Sequence, residues 1–267
     1  MTTAAARRYL MCRPTHFAVT YRINPWMDPT APYDTALAIR QWENLRQTFL
    51  GLGHTVELID PLPGLPDMVF AANGATVVDG KVFAVQFRDA ERADEGPAYK
   101  AWFENAGFDV TDSKNTNEGE GDILLAGEVL LAGTGFRTAH AAHAEAQEVF
   151  GRPVITLQLV DPAYYHLDTA LCVLDERNIA YLPAAFSPGS QAVLRRLFPD
   201  AVIATPEDAE VLGLNAVSDG RTVVLPVQAT TLTAALQAAG YQTVGVDVSE
   251  LRKAGGGPKC CTLEVRS

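Results

Sequence analysis

A hairpin recurs about every 46 residues along this chain, and that period constrains the fold more than any other feature. Ala75-Thr76-Val77-Val78 and Val82-Phe83-Ala84-Val85 are short apolar, β-forming runs separated by Asp79-Gly80, a pair that suits a two-residue turn. Ile123-Leu124-Leu125 and Val129-Leu130-Leu131 flank Ala126-Gly127 in the same way. Ala170-Leu171-Cys172-Val173-Leu174 and Ile179-Ala180-Tyr181-Leu182 flank residues 175–178, and Ala216-Val217 and Thr222-Val223-Val224-Leu225 flank Asp219-Gly220. A fifth strand, Thr262-Leu263-Glu264-Val265, has no partner after it, and the amino-terminal strand at residues 9–13 can supply one.

Between hairpins the apolar period changes to that of a helix, over residues 99–106, 138–150, 190–198 and 231–239, with Gly151 and Gly240 placed as stop signals. Short extended runs such as Val154-Ile155-Thr156-Leu157 and Val244-Gly245-Val246 follow. The unit is therefore ββαβ. At 267 residues the chain is near the upper end of one compact domain, so residues 1–267 are expected to form a single domain.

Cyclic packing of such units brings equivalent positions to one end of the common axis. The positions before the hairpins read Ala72-Asn73-Gly74, Glu118-Gly119-Glu120-Gly121-Asp122, His166-Leu167-Asp168, Leu214-Asn215 and Cys260-Cys261. Any one of these residues beside an apolar strand is more often structural than catalytic. Their common phase across five units instead predicts one pocket holding two amides, several carboxylates, an imidazole and a thiol.

Composition excludes several classes. A net charge of −11 and a pI near 4.9 disfavour nucleic acid, whose phosphates need a basic surface. No run of eighteen apolar residues exists to span a membrane, and no apolar run follows Arg7-Arg8 to make a secretion signal. The four cysteines, Cys12, Cys172, Cys260 and Cys261, are too few for a disulfide framework and lack zinc-type spacing. A cytoplasmic protein with reduced thiols is expected, with Cys12 and Cys172 simply buried in strands.

Five motifs, in chain order, resemble the guanidino-group-modifying enzymes of the amidinotransferase or pentein superfamily: dimethylargininase, arginine deiminase, arginine dihydrolase and the arginine amidinotransferases. They are Phe87-Arg88 followed by Glu91-Arg92, Glu118-Gly119-Glu120-Gly121-Asp122, Gly135-Phe136-Arg137-Thr138, His166-Leu167-Asp168-Thr169 and Gly255-Gly256-Gly257-Pro258-Lys259-Cys260. The resemblance spans nearly the whole chain and implies a five-bladed α/β-propeller. It implies Cys260 as nucleophile, His166 as catalytic histidine, and Arg88 and Arg137 as holders of a substrate α-carboxylate. It also implies a small-molecule guanidino substrate and no metal or organic cofactor.

Elementary chemistry gives the same residues meaning. A guanidinium is a planar cation that carboxylates grip through paired, charge-assisted N–H···O bonds. Asp168, with Glu118, Asp122 or both, suits that task, because the interleaved glycines let the backbone bring carboxylates together. Cys260 follows three glycines that leave its sulfur accessible, and cationic neighbours favour its thiolate. His166 would protonate the departing amine and then deprotonate the water that hydrolyses the thiouronium. Cys261 would point to the opposite face if the strand alternates.

Substrate choice turns on Met68-Val69-Phe70-Ala71-Ala72-Asn73-Gly74, where arginine deiminases and many dimethylargininases carry an acidic residue. Asn73, with Asn24 in Ile23-Asn24-Pro25-Trp26-Met27, resembles arginine dihydrolase, so conversion of arginine to ornithine, ammonia and carbon dioxide is the expected activity. Dimethylargininase is the alternative, on chain length and the Cys-Cys-Thr ending. A non-catalytic arginine-binding module is the alternative of another class, and a thiol after three glycines argues against it.

Overall fold

The computed structural model describes residues 6–266. Residues 1–5 and Ser267 lie outside the described residues, and with them part of the stretch read for a secretion signal and the outer limits of the 1–267 unit. Five three-stranded sheets carry the chain. Strands β1 (Arg8–Cys12) and β2 (Thr55–Ile59) flank helix α1 (Thr35–Gly51). Then follow β3 (Ala75–Val78), β4 (Lys81–Ala84), α2 (Glu95–Asn105) and β5 (Asp109–Thr111), and after them β6 (Ile123–Ala126), β7 (Val129–Thr134), α3 (His140–Phe150) and β8 (Val154–Gln158). The fourth sheet uses a short α4 (Leu167–Ala170), β9 (Leu171–Val173), β10 (Ile179–Tyr181), α5 (Pro188–Leu197) and β11 (Val202–Ile203). The fifth comprises α6 (Pro206–Ala209), β12 (Val217–Ser218), β13 (Thr222–Pro226), α7 (Thr230–Ala238) and β14 (Gln242–Val246), before α8 (Ser249–Arg252) and β15 (Leu263–Glu264).

Four of the sheets have one pattern, an antiparallel hairpin and then a parallel return strand after the helix. β15 completes the first sheet by pairing antiparallel with β1, Tyr9 opposite Glu264 and Leu10 opposite Leu263, so the first and last strands share a blade. This is the five-bladed α/β-propeller that the family resemblance implies, built from the ββαβ unit read in the repeat. Helices α1, α3 and α7 each pack on the outer strand of their own sheet and on an outer or central strand of the preceding one. Apolar side chains from helix, own sheet and neighbour therefore meet in shared clusters, for example Trp42, Leu45 and Phe49 of α1 with Val224 and Val246. Among the described residues no helix is long and apolar enough to cross a membrane.

Turn chemistry is visible in the backbone. Asp79 and Gly80 both have positive φ, 52° and 75°, as the two-residue turn requires. Helices α1, α4, α6 and α8 lie outside the helical runs expected from the sequence, Ala170 falling in α4 rather than in a strand, and α2 starts earlier than expected. α1 was not anticipated, because its buried stripe of Ala38, Gln41, Trp42, Leu45 and Phe49 includes a glutamine whose amide reaches Asp247 and Ser249. α2 begins at Glu95 rather than at residue 99, since Pro97 falls in the first turn, where no helical N–H is missed.

Candidate functional site

The segments that precede β3, β6 and β9 are single helical turns, at Ala71–Gly74, Gly119–Gly121 and Leu167–Ala170, and with the loops before β12 and β15 they are hydrogen-bonded into a ring. Asn73 Nδ2 donates to the Glu118 carbonyl at 3.1 Å. Glu118 Oε2 lies 2.6 Å from His166 Nε2. Asn215 Nδ2 donates to the Asp168 carbonyl at 3.1 Å and to Cys260 Sγ at 3.0 Å. The Cys260 carbonyl closes the ring by accepting from Ala72 N at 2.9 Å. Asn73, Glu118, Asp122, His166, Asp168, Asn215 and Cys260 are each no more than 2 % exposed, so the constellation is buried as well as convergent.

The loop that carries Cys260 comes down between its neighbours because its glycines lack side chains. A Cβ on Gly256 would lie 2.2 Å from the Phe70 ring, and one on Gly257 would lie 2.9 Å from Asn215 Oδ1. Cys260 donates its thiol proton to Asp168 Oδ2 at 3.2 Å. Burial, with the Asp168 charge and hydrogen bond, pushes the Cys260 thiol well up, so the resting group is a neutral thiol. Burial pushes the Asp168 carboxyl up to about 6, partly offset by His166, Lys259 and the Cys260 bond.

Glu118 behaves in the opposite sense. Burial works to raise it, but the His166 hydrogen bond and charge, with Arg137 and Arg92, hold it well below the usual carboxylate range. It therefore stays ionised and fixes Nε2 of the imidazole. Within the same Gly-rich run the other two carboxylates turn elsewhere. Glu120 pairs with Lys259 at 2.8 Å and with Arg266. Asp122 Oδ1 accepts from Leu167 N at 2.9 Å and Oδ2 from Thr138 N at 3.1 Å, so both of its oxygens hold backbone. Burial pushes Asp122 up as well.

Arg137 is committed within the protein: it reaches Glu118 Oε2 at 3.1 Å, Asp89 Oδ2 at 2.9 Å and the Ile23 carbonyl at 2.7 Å, and lies over the Tyr165 ring. Arg88 is exposed, its guanidinium bonded to the Phe136 carbonyl, while its backbone N–H donates to Glu118 Oε1 at 3.2 Å. Asn24 does not touch the sulfur or the imidazole. Its side chain ties residues 23–27 to Tyr165 Oη at 3.3 Å and to the Ala254 carbonyl at 3.0 Å. Cys261 is fully buried and burial pushes its thiol up; Cys12 and Cys172 are buried in β1 and β9.

Three residues here had no role in the sequence reading. Asn215 was placed in phase with the site but given no task. Arg92 donates to Asn73 Oδ1 at 2.7 Å and pairs with Glu95 at 2.7 Å; the spacing of Arg92 and Glu95 was the available signal. Asp67 is a buried carboxylate that accepts from Tyr21 Oη at 3.0 Å. Among the described residues, no group of three or more His, Cys, Asp or Glu side chains is placed to hold a metal ion.

A buried thiol, imidazole and carboxylates at one end of a five-bladed α/β-propeller define a guanidino-modifying hydrolase, which acts on carbon–nitrogen bonds of linear amidines. Residues 24–267 match the family profile N,N dimethylarginine dimethylhydrolase, eukaryotic, and the chain belongs to that family. It is 55% identical over 263 residues to the N(G),N(G)-dimethylarginine dimethylaminohydrolase of Mycobacterium tuberculosis, covering 98% of this chain and 87% of that protein. It is 37% identical to the bifunctional arginine dihydrolase/ornithine cyclodeaminase ArgZ of Synechocystis, over 97% of this chain but only 37% of that protein. The crystal structure of the N-terminal domain of a cyanobacterial ArgZ, a mutant bound to substrate, superposes with a TM-score of 0.94 at 36% identity, covering 98% of each chain.

Proposed function

We propose that this chain is a cytoplasmic arginine dihydrolase, converting arginine and two waters to ornithine, two ammonia and carbon dioxide, with Cys260 as nucleophile and residues 1–267 as a single catalytic domain. The reading of substrate rests on Asn73. Arg92 takes one lone pair of its Oδ1 and the Glu118 carbonyl takes one Nδ2 hydrogen, so what remains for a ligand is one N–H donor beside one oxygen lone pair, on a neutral group without carboxylate charge. A neutral donor suits the oxygen of an uncharged ureido intermediate, which must stay for a second hydrolysis. A carboxylate in that place would hold the guanidinium and disfavour the ureido group.

Unpartnered polar atoms support a guanidinium site. His166 Nδ1, Asp168 Oδ1 and Asp67 Oδ1 are buried with no hydrogen-bond partner among the described residues, a state that costs about 1–3 kcal/mol each unless water or a ligand pairs them. In this reading the guanidinium takes Asp168, bringing positive charge to the sulfur and favouring the thiolate. The thiolate attacks the guanidinium carbon, His166 protonates the departing ammonia, and a covalent thiouronium remains. His166, oriented by Glu118, then takes a proton from the attacking water. Asp122 positions the His166 and Thr138 segments rather than the substrate. Arg88 and Arg137 border the region where the α-carboxylate would lie, Arg137 holding Glu118 and residues 23–27 in place, with Asn24 anchoring the same segment.

Dimethylargininase is the second reading, favoured by the family profile and by the 55% identical relative. Incubation with arginine and, separately, with asymmetric dimethylarginine, followed by assays for ornithine, ammonia, citrulline and dimethylamine, decides between them. Ornithine with ammonia from arginine supports the dihydrolase. Citrulline with dimethylamine from dimethylarginine, and no turnover of arginine, overturns it.

A further inference from the structure

The Cys260 sulfur has two polar side-chain neighbours: Asp168 Oδ2, to which the thiol donates, and Asn215 Nδ2, which directs an N–H at it from 3.0 Å. The amide of Asn215 cannot turn over. Its Oδ1 accepts from Cys260 N at 2.9 Å and from Gly257 N at 3.0 Å, and only an oxygen can receive two backbone N–H groups. The second hydrogen on Nδ2 goes to the Asp168 carbonyl. Asn215 is fully buried, so every hydrogen-bonding site on it is spent within the nucleophile loop, the Asp168 segment and the sulfur.

A thiol sulfur is a weak acceptor and gains little from such a donor, whereas a thiolate gains a charge-assisted bond. The donor therefore discriminates between the two protonation states. It opposes the burial and the Asp168 carboxylate that both favour the neutral thiol.

We propose that Asn215 is a catalytic residue: its side-chain N–H stabilises the Cys260 thiolate as nucleophile and as leaving group, while its oxygen pins the loop that carries Cys260. The proposal rests on Cys260 being the nucleophile. During attack the sulfur lone pair becomes the C–S bond and the hydrogen bond weakens. When the hydrated thiouronium collapses, the C–S bond breaks, its electron pair returns to sulfur, and the N–H again receives a thiolate. Because Asn215 touches the sulfur, it serves arginine and dimethylarginine alike.

The charged and titratable groups around the sulfur are Asp168, Tyr165 and Cys261, with His166 and Lys259 acting on Asp168. Asn215→Asp keeps the oxygen that accepts from Cys260 and Gly257 and replaces the donor. Asn215→Ala removes the donor without adding charge. The test is the pH dependence of the alkylation rate of Cys260 by iodoacetamide, read by mass spectrometry of the labelled peptide, with melting temperature measured in parallel. Both variants should shift the alkaline midpoint upward by about one to two pH units, a tenfold to hundredfold smaller thiolate fraction at a given pH. An unchanged midpoint in folded Asn215→Ala overturns the proposal whatever Asn215→Asp shows, because the new carboxylate of Asn215→Asp raises the midpoint by its charge as well; if Asn215→Ala does not fold, an unchanged midpoint in folded Asn215→Asp overturns it. Label that persists in Cys260→Ser at the wild-type rate would instead overturn the assignment of the nucleophile.

Discussion

Cys260 and Cys261 are adjacent and both buried, yet among the described residues it is the Cys260 sulfur that hydrogen-bonds with Asp168 and Asn215, and that contact carries the first prediction. Cys260→Ser should lower turnover by on the order of a thousandfold or more and abolish labelling by a haloacetamidine, whereas Cys261→Ser should keep most of both. Equal labelling of the two thiols would contradict it. Asp168 makes the second. Its carboxyl sits near 6 in the free enzyme, raised above the ordinary value, so binding a cation below that pH must expel a proton. Its contribution to stability is complete below about pH 4 and is lost as pH rises through about 6, while substrate binding changes in the reverse direction. kcat/KM for arginine should therefore fall toward tenfold per pH unit below about pH 6, and calorimetry in two buffers should show proton release near pH 5.5. Binding without proton release would remove Asp168 from the guanidinium site. Asn73→Asp makes the third: the new carboxylate would pair with Arg92 and with guanidinium, and mispairing of the ureido group, about 1–3 kcal/mol, should shift partition toward citrulline by about ten- to a hundredfold. Mass spectrometry of products from wild type and variant checks it.

At the scale of elements, the site depends on loops that carboxylates hold from within. Asp122 joins the start of α4 to the Thr138 segment through two backbone N–H groups, and so fixes where His166 stands. Asp122→Asn leaves one of those donors facing an NH2 group, which should cost about 1–3 kcal/mol and, for a chain of this size, about 2–4 °C of Tm per kcal/mol. Turnover should fall with it while Cys260 remains alkylable; an unaltered Tm would mean that the two loops are held by other contacts.

For the whole molecule, the decisive pairing is β1 with β15, which places the first and last strands in one blade and closes the ring that brings Cys260 beside Ala72 and Asn215. A circular permutant that joins the present ends through a short linker and opens the exposed turn between Glu176 and Arg177 keeps every blade intact. It should fold and retain most of its turnover. Loss of cooperative melting would show that the order of the blades along the chain matters beyond their closure.

The ββαβ unit, its recurrence and the phase of the residues before each hairpin are legible in the chain, because turn pairs such as Asp79-Gly80 and the change from strand to helix period are local properties of the backbone. The sequence pointed in the same way to Asn73, Glu118, His166, Asp168 and Cys260 as one group. How the members of that group are occupied follows from their contacts in the folded molecule. Of the carboxylates in the 118–122 run, Glu118 meets His166, Glu120 turns to Lys259 and Arg266, and Asp122 is taken by two backbone N–H groups. Asn24 and Arg137 brace residues 23–27, and Asn215 meets the sulfur. Helix α1 escaped detection because a glutamine in its buried stripe finds partners some two hundred residues away. The physical reason is common to all of these: hydrogen-bond partners distant in sequence are set by ring closure and burial, and neither leaves a periodic trace in the chain.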